Sequence, residues 1–241
     1  AIGAGEQVVA VDDFSDYPPD VEGLPRLGGL INPNYEQIVA MDPDVFIITT
    51  GAEEIVARLE ELNIPVLVLK HERFDDVYAN IRLLGQLTGH TREAAEVVSA
   101  IEDRVAAVQQ AVGDVPPERR PRVFYEVWPE DPLMTAGPGS FIHDLIGLAG
   151  GINVASDVEQ AWAPINLEDV VARNPQVIIT PFQESYEQLR SGERPGWAGI
   201  DAVVHGRIYL IDQNLISRPG PRLVEALEAF AGWLHPDAFR R

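Results

Sequence analysis

Asn34-Tyr-Glu-Gln-Ile-Val-Ala-Met-Asp-Pro-Asp-Val-Phe-Ile47 returns later in the chain as Asn166-Leu-Glu-Asp-Val-Val-Ala-Arg-Asn-Pro-Gln-Val-Ile-Ile179. Seven of the fourteen positions are identical: Asn34/Asn166, Glu36/Glu168, Val39/Val171, Ala40/Ala172, Pro43/Pro175, Val45/Val177 and Ile47/Ile179. Each copy opens on an Asn suited to cap a helix and continues through a short helical stretch. A Pro then stops the helix, and a β-branched run follows that reads as a buried strand. One such unit in each half predicts two similar α/β lobes with a ligand cleft between them.

Working outward, residues 7–11 read as a strand and residues 12–19 as a polar, proline-stopped loop. Residues 53–62 are helical, with Ile55, Leu59 and Leu62 on one face. A strand at 66–69 and a helix over about 74–87 follow. Strands alternating with helices imply Rossmann-like lobes with mostly parallel sheets. Residues 91–112 carry apolar side chains at Ala95, Val98, Ile101, Val105 and Val108 with no internal Gly or Pro. That spacing predicts one helix of roughly 30 Å at about 1.5 Å per residue, long enough to join two lobes. The expected division is therefore an N-terminal lobe over 1–90, an interlobe helix over 91–113 and a C-terminal lobe over 114–241. The second half restarts with a strand at 122–127, a loop to Gly139 and a helix at 140–148. After the second repeat copy come a strand at 207–211 and an amphipathic helix at 223–234.

The chain has 241 residues, a formal net charge of −20 and no cysteine. The charge argues against nucleic acid or an anionic membrane as partner, since both require a positive surface. Without cysteine there is no disulfide scaffold, thiolate metal site or Cys nucleophile. No run approaches the roughly 18 apolar residues of a membrane span.

Candidate ligand residues cluster in loops that follow strands, where open α/β sheets bind their ligands. Tyr17 lies in Phe14-Ser-Asp-Tyr-Pro-Pro19, a loop stiffened by two prolines. Trp128 lies in the corresponding loop of the second half and reads as presented by Pro129 rather than buried. Trp162, among small residues before Pro164, reads as a platform. Asp212, Arg218 and Arg222 follow the last strand and suit a ligand rich in amides or carbonyls. Each has a plainer reading as packing, capping or surface pairing. His71, His143 and His205 could make a metal site only by converging across the fold, because their spacing shows no ligand motif. Glu36 and Glu168 complement the helix dipole in a first turn, worth about 0.3–1 kcal/mol each. Their duplication also suits a two-fold symmetric partner that carries Arg. No glycine fingerprint for a dinucleotide and no Gly-x-Ser-x-Gly elbow is present, so the chain reads as a binding protein and not an enzyme.

On Ser15-Asp-Tyr-Pro-Pro19, the two repeat copies, the 91–112 helix, Tyr125-Glu-Val-Trp128, Pro132-Leu-Met-Thr-Ala-Gly137 and Trp162, the chain resembles a known family. These are the bacterial periplasmic solute receptors whose two lobes are joined by one long helix, and within them the cobalamin-binding proteins of ABC importers. The resemblance implies an extracytoplasmic monomer, in the periplasm or tethered to the outer face of the membrane. It implies a corrinoid ligand walled by Tyr17 and Trp162 and joined by Trp128, with Asp212 and Arg218 or Arg222 at the peripheral amides. It implies Glu36 and Glu168 salt-bridged to a dimeric permease, no resident cofactor, and limited closure about a continuous helix. Haem or a ferric siderophore is the alternative ligand on the same fold; a metal carrier or metal-dependent enzyme is a further reading. Two departures stand out: Gly28-Gly-Leu30 and Gly51 occupy places where the family carries aromatics. The family also begins with one more strand and helix, so either this chain is trimmed or its first lobe lacks that unit.

Overall fold

The structure, a computed structural model, describes residues 1–239. The chain forms two compact units, Ala1–His71 with Ala79–Val97, and Glu72–Tyr78 with the chain from Val98 onward. The helices Phe74–Thr88 and Thr91–Val112 both run across that division. The second is continuous over 22 residues. Its buried stripe is Ala94, Val98, Ile101, Val105, Val108 and Val112, so the stripe begins at Ala94, and Ala95 points to solvent. Among the described residues no helix is long and apolar enough to cross a membrane.

In the first unit, Phe46–Thr49 and Val66–Leu69 pair in parallel, Phe46 opposite Val66. The helices Tyr35–Met41 and Glu53–Glu61 supply its core, with Ile38, Ile55, Leu59 and Ile64 buried. Full burial of such a side chain contributes about 1.5–3 kcal/mol. The strand expected at 7–11 does not form. Val8 and Val9 are exposed, and Val11 makes only an isolated bridge to Arg26. An alternating apolar run becomes a strand only when a neighbour satisfies its backbone groups, and this run has no ladder partner.

In the second unit, Ile208–Leu210, Val177–Thr180 and Arg122–Trp128 lie side by side in parallel, and Ile152–Asn153 adds to Arg122–Trp128. All four residues of Val177–Thr180 are buried, as a central parallel strand covered on both faces requires. One face packs Phe124, Ile178 and Ile208 against Leu189, Trp197 and Ile200. On the other, Tyr125 meets Phe230 at 6.2 Å between ring centroids. The sequence reading missed an antiparallel extension, in which Met134–Ala136 pairs with Arg122–Trp128 and Trp162–Pro164 pairs with Met134–Ala136. The sheet is therefore mixed.

The repeat is structural as well as sequential. Tyr35–Met41 and Leu167–Arg173 are both seven-residue helices. Asn34 Oδ1 accepts from the Gln37 amide at 3.1 Å, and Asn166 Oδ1 from the Asp169 amide at 2.7 Å. Each helix exits through a left-handed residue, Asp42 (φ 47°) or Asn174 (φ 42°), just before its Pro. Each buries one residue at the same place, Ile38 or Val170.

Candidate ligand-binding and docking sites

The parallel register of the second unit sets three side chains in one row. Tyr125 is opposite Ile179, and Ile179 is opposite Tyr209. Trp128 ends its strand, and Phe182 and Asp212 each follow the carboxyl end of theirs by two residues. Trp128 is 47% exposed and meets Phe182 edge-on at 5.7 Å. Asp212 is exposed and caps the short helix Gln213–Ile216, accepting from the Asn214 amide at 2.9 Å. The capping bond uses one carboxylate oxygen and leaves acceptor capacity on the group. Arg218 is exposed and Arg222 is half-buried at the start of Leu223–Leu234.

Phe182 was not singled out from sequence. It carries the signal that marked Trp128, an aromatic at a strand end beside a Pro. Trp162 lies elsewhere on the same sheet. It stands opposite Ala136 on the antiparallel extension, while Trp128 stands opposite Met134, so two strand spacings and a two-residue step separate the two backbone positions. Neighbouring strands are about 4.8 Å apart and residues along a strand about 3.3 Å. Trp162 remains partly exposed and packs edge-on against Phe141 at 5.5 Å. Phe141 opens the helix Phe141–Leu148, capped by Ser140 through the His143 amide.

In the first unit Tyr17 is 57% exposed, on a loop held from behind. The Arg26 guanidinium donates to the carbonyls of Asp12 at 2.9 Å and Ser15 at 2.5 Å, and Asp12 Oδ1 accepts from the Phe14 amide. A ring on a pre-ordered loop loses little entropy on meeting a ligand. Gly28 sits at φ +90°, where a Cβ would lie 2.7 Å from the Asn32 carbonyl oxygen. The tight turn from Gly28 to Asn32 thus excludes any side chain at that position.

The histidines are engaged locally. His71 Nδ1 is 3.0 Å from Thr50 Oγ1, and His205 Nδ1 is 2.8 Å from the Asp201 carbonyl oxygen. Asn153 donates its amide to the Ala136 carbonyl and to His143 Nδ1, while its Oδ1 accepts from the Ala155 amide. The two backbone partners fix that amide, so His143 Nδ1 is an acceptor and its proton sits on Nε2. Among the described residues no three His, Asp or Glu side chains gather as a metal-binding group.

Glu36 and Glu168 are both exposed on their matched helices. The neighbouring identities Val39/Val171 and Ala40/Ala172 are exposed too, with the valines at 46% and 44%. Core packing accounts for identity at buried positions but not at these. The second helix is also tied down by Arg173, which pairs with Asp157 and donates to the Val154 carbonyl. The hydrogen bond from Arg173 holds the Asp157 carboxyl below the usual carboxylate range.

Residues 1–215 match the family described as periplasmic binding protein, and the chain belongs to that family. It is 28% identical over 245 aligned residues to the uncharacterized ABC transporter substrate-binding lipoprotein YvrC of Bacillus subtilis, covering all of this chain and 77% of that one. It is 26% identical to a vitamin B12-binding protein of Vibrio cholerae, over 97% of this chain and 83% of the relative. It superposes on the apo periplasmic heme-binding protein RhuT from Roseiflexus with a TM-score of 0.82 and 26% identity, covering 98% and 93% of the two chains.

Proposed function

We propose that this protein is the substrate-binding protein of an ABC importer, capturing cobalamin or a related corrinoid outside the cytoplasm and delivering it to a dimeric permease. The observation that carries this reading is the exposed Trp128 edge-on to Phe182, with exposed Asp212, all at the carboxyl ends of neighbouring parallel strands. A corrinoid is broad, nearly neutral and fringed with amides. Exposed aromatic faces cover such a ring, and a few polar groups fix its rim. Tyr17 from the first unit and Trp162 and Trp128 from the second are the aromatic surfaces offered. Asp212, with Arg218 or Arg222, meets peripheral amides or the nucleotide side. The likeness to a vitamin B12-binding protein over nearly the whole chain supports the same assignment.

Delivery rests on the duplicated Glu-Val-Ala surface. Glu36 and Glu168 pair with cations on the permease, and the exposed Val and Ala of each helix supply apolar contact beside the charge. Two copies of one surface suit a partner that itself has two-fold symmetry. Haem is the second reading, favoured by the likeness to a haem-binding protein of the same fold.

The deciding experiment is a titration of the purified protein with cyanocobalamin, read by tryptophan quenching and calorimetry, with haemin in parallel. One-to-one submicromolar binding of cyanocobalamin, weakened by Tyr17→Ala or Trp162→Ala, is the expected result. Haemin binding without cyanocobalamin binding overturns the corrinoid assignment. Glu36→Ala with Glu168→Ala should leave that affinity unchanged while removing transport; loss of ligand binding in the double variant overturns the docking role.

A further inference from the structure

Beneath Trp128 lies a fully buried carboxylate. Glu126 is two residues back on the same strand and wholly inaccessible to solvent. Its Oε2 accepts from Thr180 Oγ1 at 2.8 Å and from Ser185 Oγ. Its Oε1 pairs with Arg194, itself largely buried. The guanidinium does more than neutralise that charge. It donates to Ser185 Oγ at 2.9 Å, lies over the Trp197 ring at 4.3 Å, and donates through its second arm to the Pro129 carbonyl at 3.0 Å.

That last bond matters because of what lies under the loop after Trp128. Pro129, Glu130 and Asp131 border a solvent-open pocket of about 280 Å³, lined also by Leu167, Arg194 and Trp197. The loop therefore has a solvent-open pocket along one side. A loop that borders open solvent depends strongly on its polar tethers for its position. Removing one partner of a buried ion pair leaves the other charge uncompensated, so Glu126 holds the guanidinium in place. The planar fork then fixes where Pro129 stands.

We propose that Arg194, anchored by Glu126, is a positioning residue that sets the orientation of Trp128 for the ligand. It touches no ligand and acts through the Pro129 carbonyl. The ligand part of this inference rests on the proposed role of Trp128. The same guanidinium stacks on Trp197, whose neighbour Gly196 sits so close to Leu167 that a Cβ there would come within 2.5 Å of it.

The test compares wild type with Arg194→Lys, which keeps the charge beside Glu126 but lacks the fork that reaches Pro129. The protein has four tryptophans, Trp128, Trp162, Trp197 and Trp233, so 5-fluorotryptophan gives four fluorine resonances, assigned by single Trp→Phe variants. In Arg194→Lys the Trp128 and Trp197 resonances should shift or split while Trp162 and Trp233 stay in place. An unmoved Trp128 resonance overturns the proposal, whatever the ligand. Cyanocobalamin affinity should fall about tenfold in Arg194→Lys, but less than about twofold when the same change is made in Trp128→Phe. Equal losses in both backgrounds would mean a general structural role and sink the positioning role. If wild type binds no cyanocobalamin, the corrinoid reading fails and the fluorine spectrum alone decides the role of Arg194. Should Arg194→Lys not fold, Glu126→Gln with Arg194→Met removes both charges together and supports the same comparison.

Discussion

The two copies of the repeat agree in nearly everything local and differ in what surrounds them. Both begin on a capping Asn, both run seven helical residues, and both leave through a left-handed residue into a Pro. Yet Ile179 is completely buried while its counterpart Ile47 is 45% exposed. Val177–Thr180 lies between two parallel neighbours, whereas Phe46–Thr49 has only Val66–Leu69. Local conformation is set by cap, stop and β-branching, which both copies carry. Burial is set by the number of neighbouring strands, which they do not share.

The largest effect that can break this comparison is a charge placed at the two isoleucines. Ile179→Asp buries an unpaired carboxylate and should cost at least about 4 kcal/mol, enough to unfold the second unit. Ile47→Asp should cost about 1 kcal/mol or less. Urea unfolding of the two variants checks this, and similar losses would mean that Ile47 is covered in solution. Next come the caps. Asn34→Ala and Asn166→Ala should each cost about 1 kcal/mol, because the capping bond is the same in both copies. Unequal values from the same titrations would show that surroundings, not the cap, dominate.

Smaller again are the left-handed exits. Asp42→Gly relieves strain and should stabilise by about 0.5–1 kcal/mol. Asn174→Gly should gain nothing, since Asn174 Oδ1 also accepts from the Asp201 amide at 2.9 Å. Thermal melts separate the two. The smallest effect belongs to Asp157, for which the first copy has no equivalent because Met41 stands where the second has Arg173. A carboxyl whose folded pKa is lowered adds stability above its unfolded value, and the gain is lost as pH falls through the folded value. Asp157→Asn should therefore lower Tm slightly near pH 7 and leave it unchanged well below the ordinary carboxylate range; a pH series of melts reads the difference.

Much of the architecture was legible because its signals are local. Asn34, Pro43, Asn166 and Pro175 punctuate the chain, and the 3.6-residue spacing of Val98, Ile101, Val105 and Val108 marks one helix. What failed were non-local features. Residues 7–11 have the alternation of a strand but no partner. Met134–Ala136 and Trp162–Pro164 are three residues each, too short to show a period, and exist through pairing. Among the candidate ligand residues, the exposure of Tyr17, Trp128 and Trp162 was legible from the prolines beside them. Phe182 could have been found by the same rule. Glu126 could not, because in a chain with 38 acids only burial distinguishes it.

The open edges of the two-stranded sheet also bear on how the protein behaves in the tube. Phe46–Thr49 and Val66–Leu69 each keep one side unpaired, and each strand also carries an exposed apolar side chain, Ile47 or Val68. Unpaired apolar strand edges are where chains zip together into aggregates. The counterweight is the net charge of −20, which keeps molecules apart through mutual repulsion. At physiological salt that repulsion reaches only about 8 Å. Concentrated stocks will therefore keep best at low ionic strength and well above the isoelectric point, and clouding on salt addition should begin at the first unit.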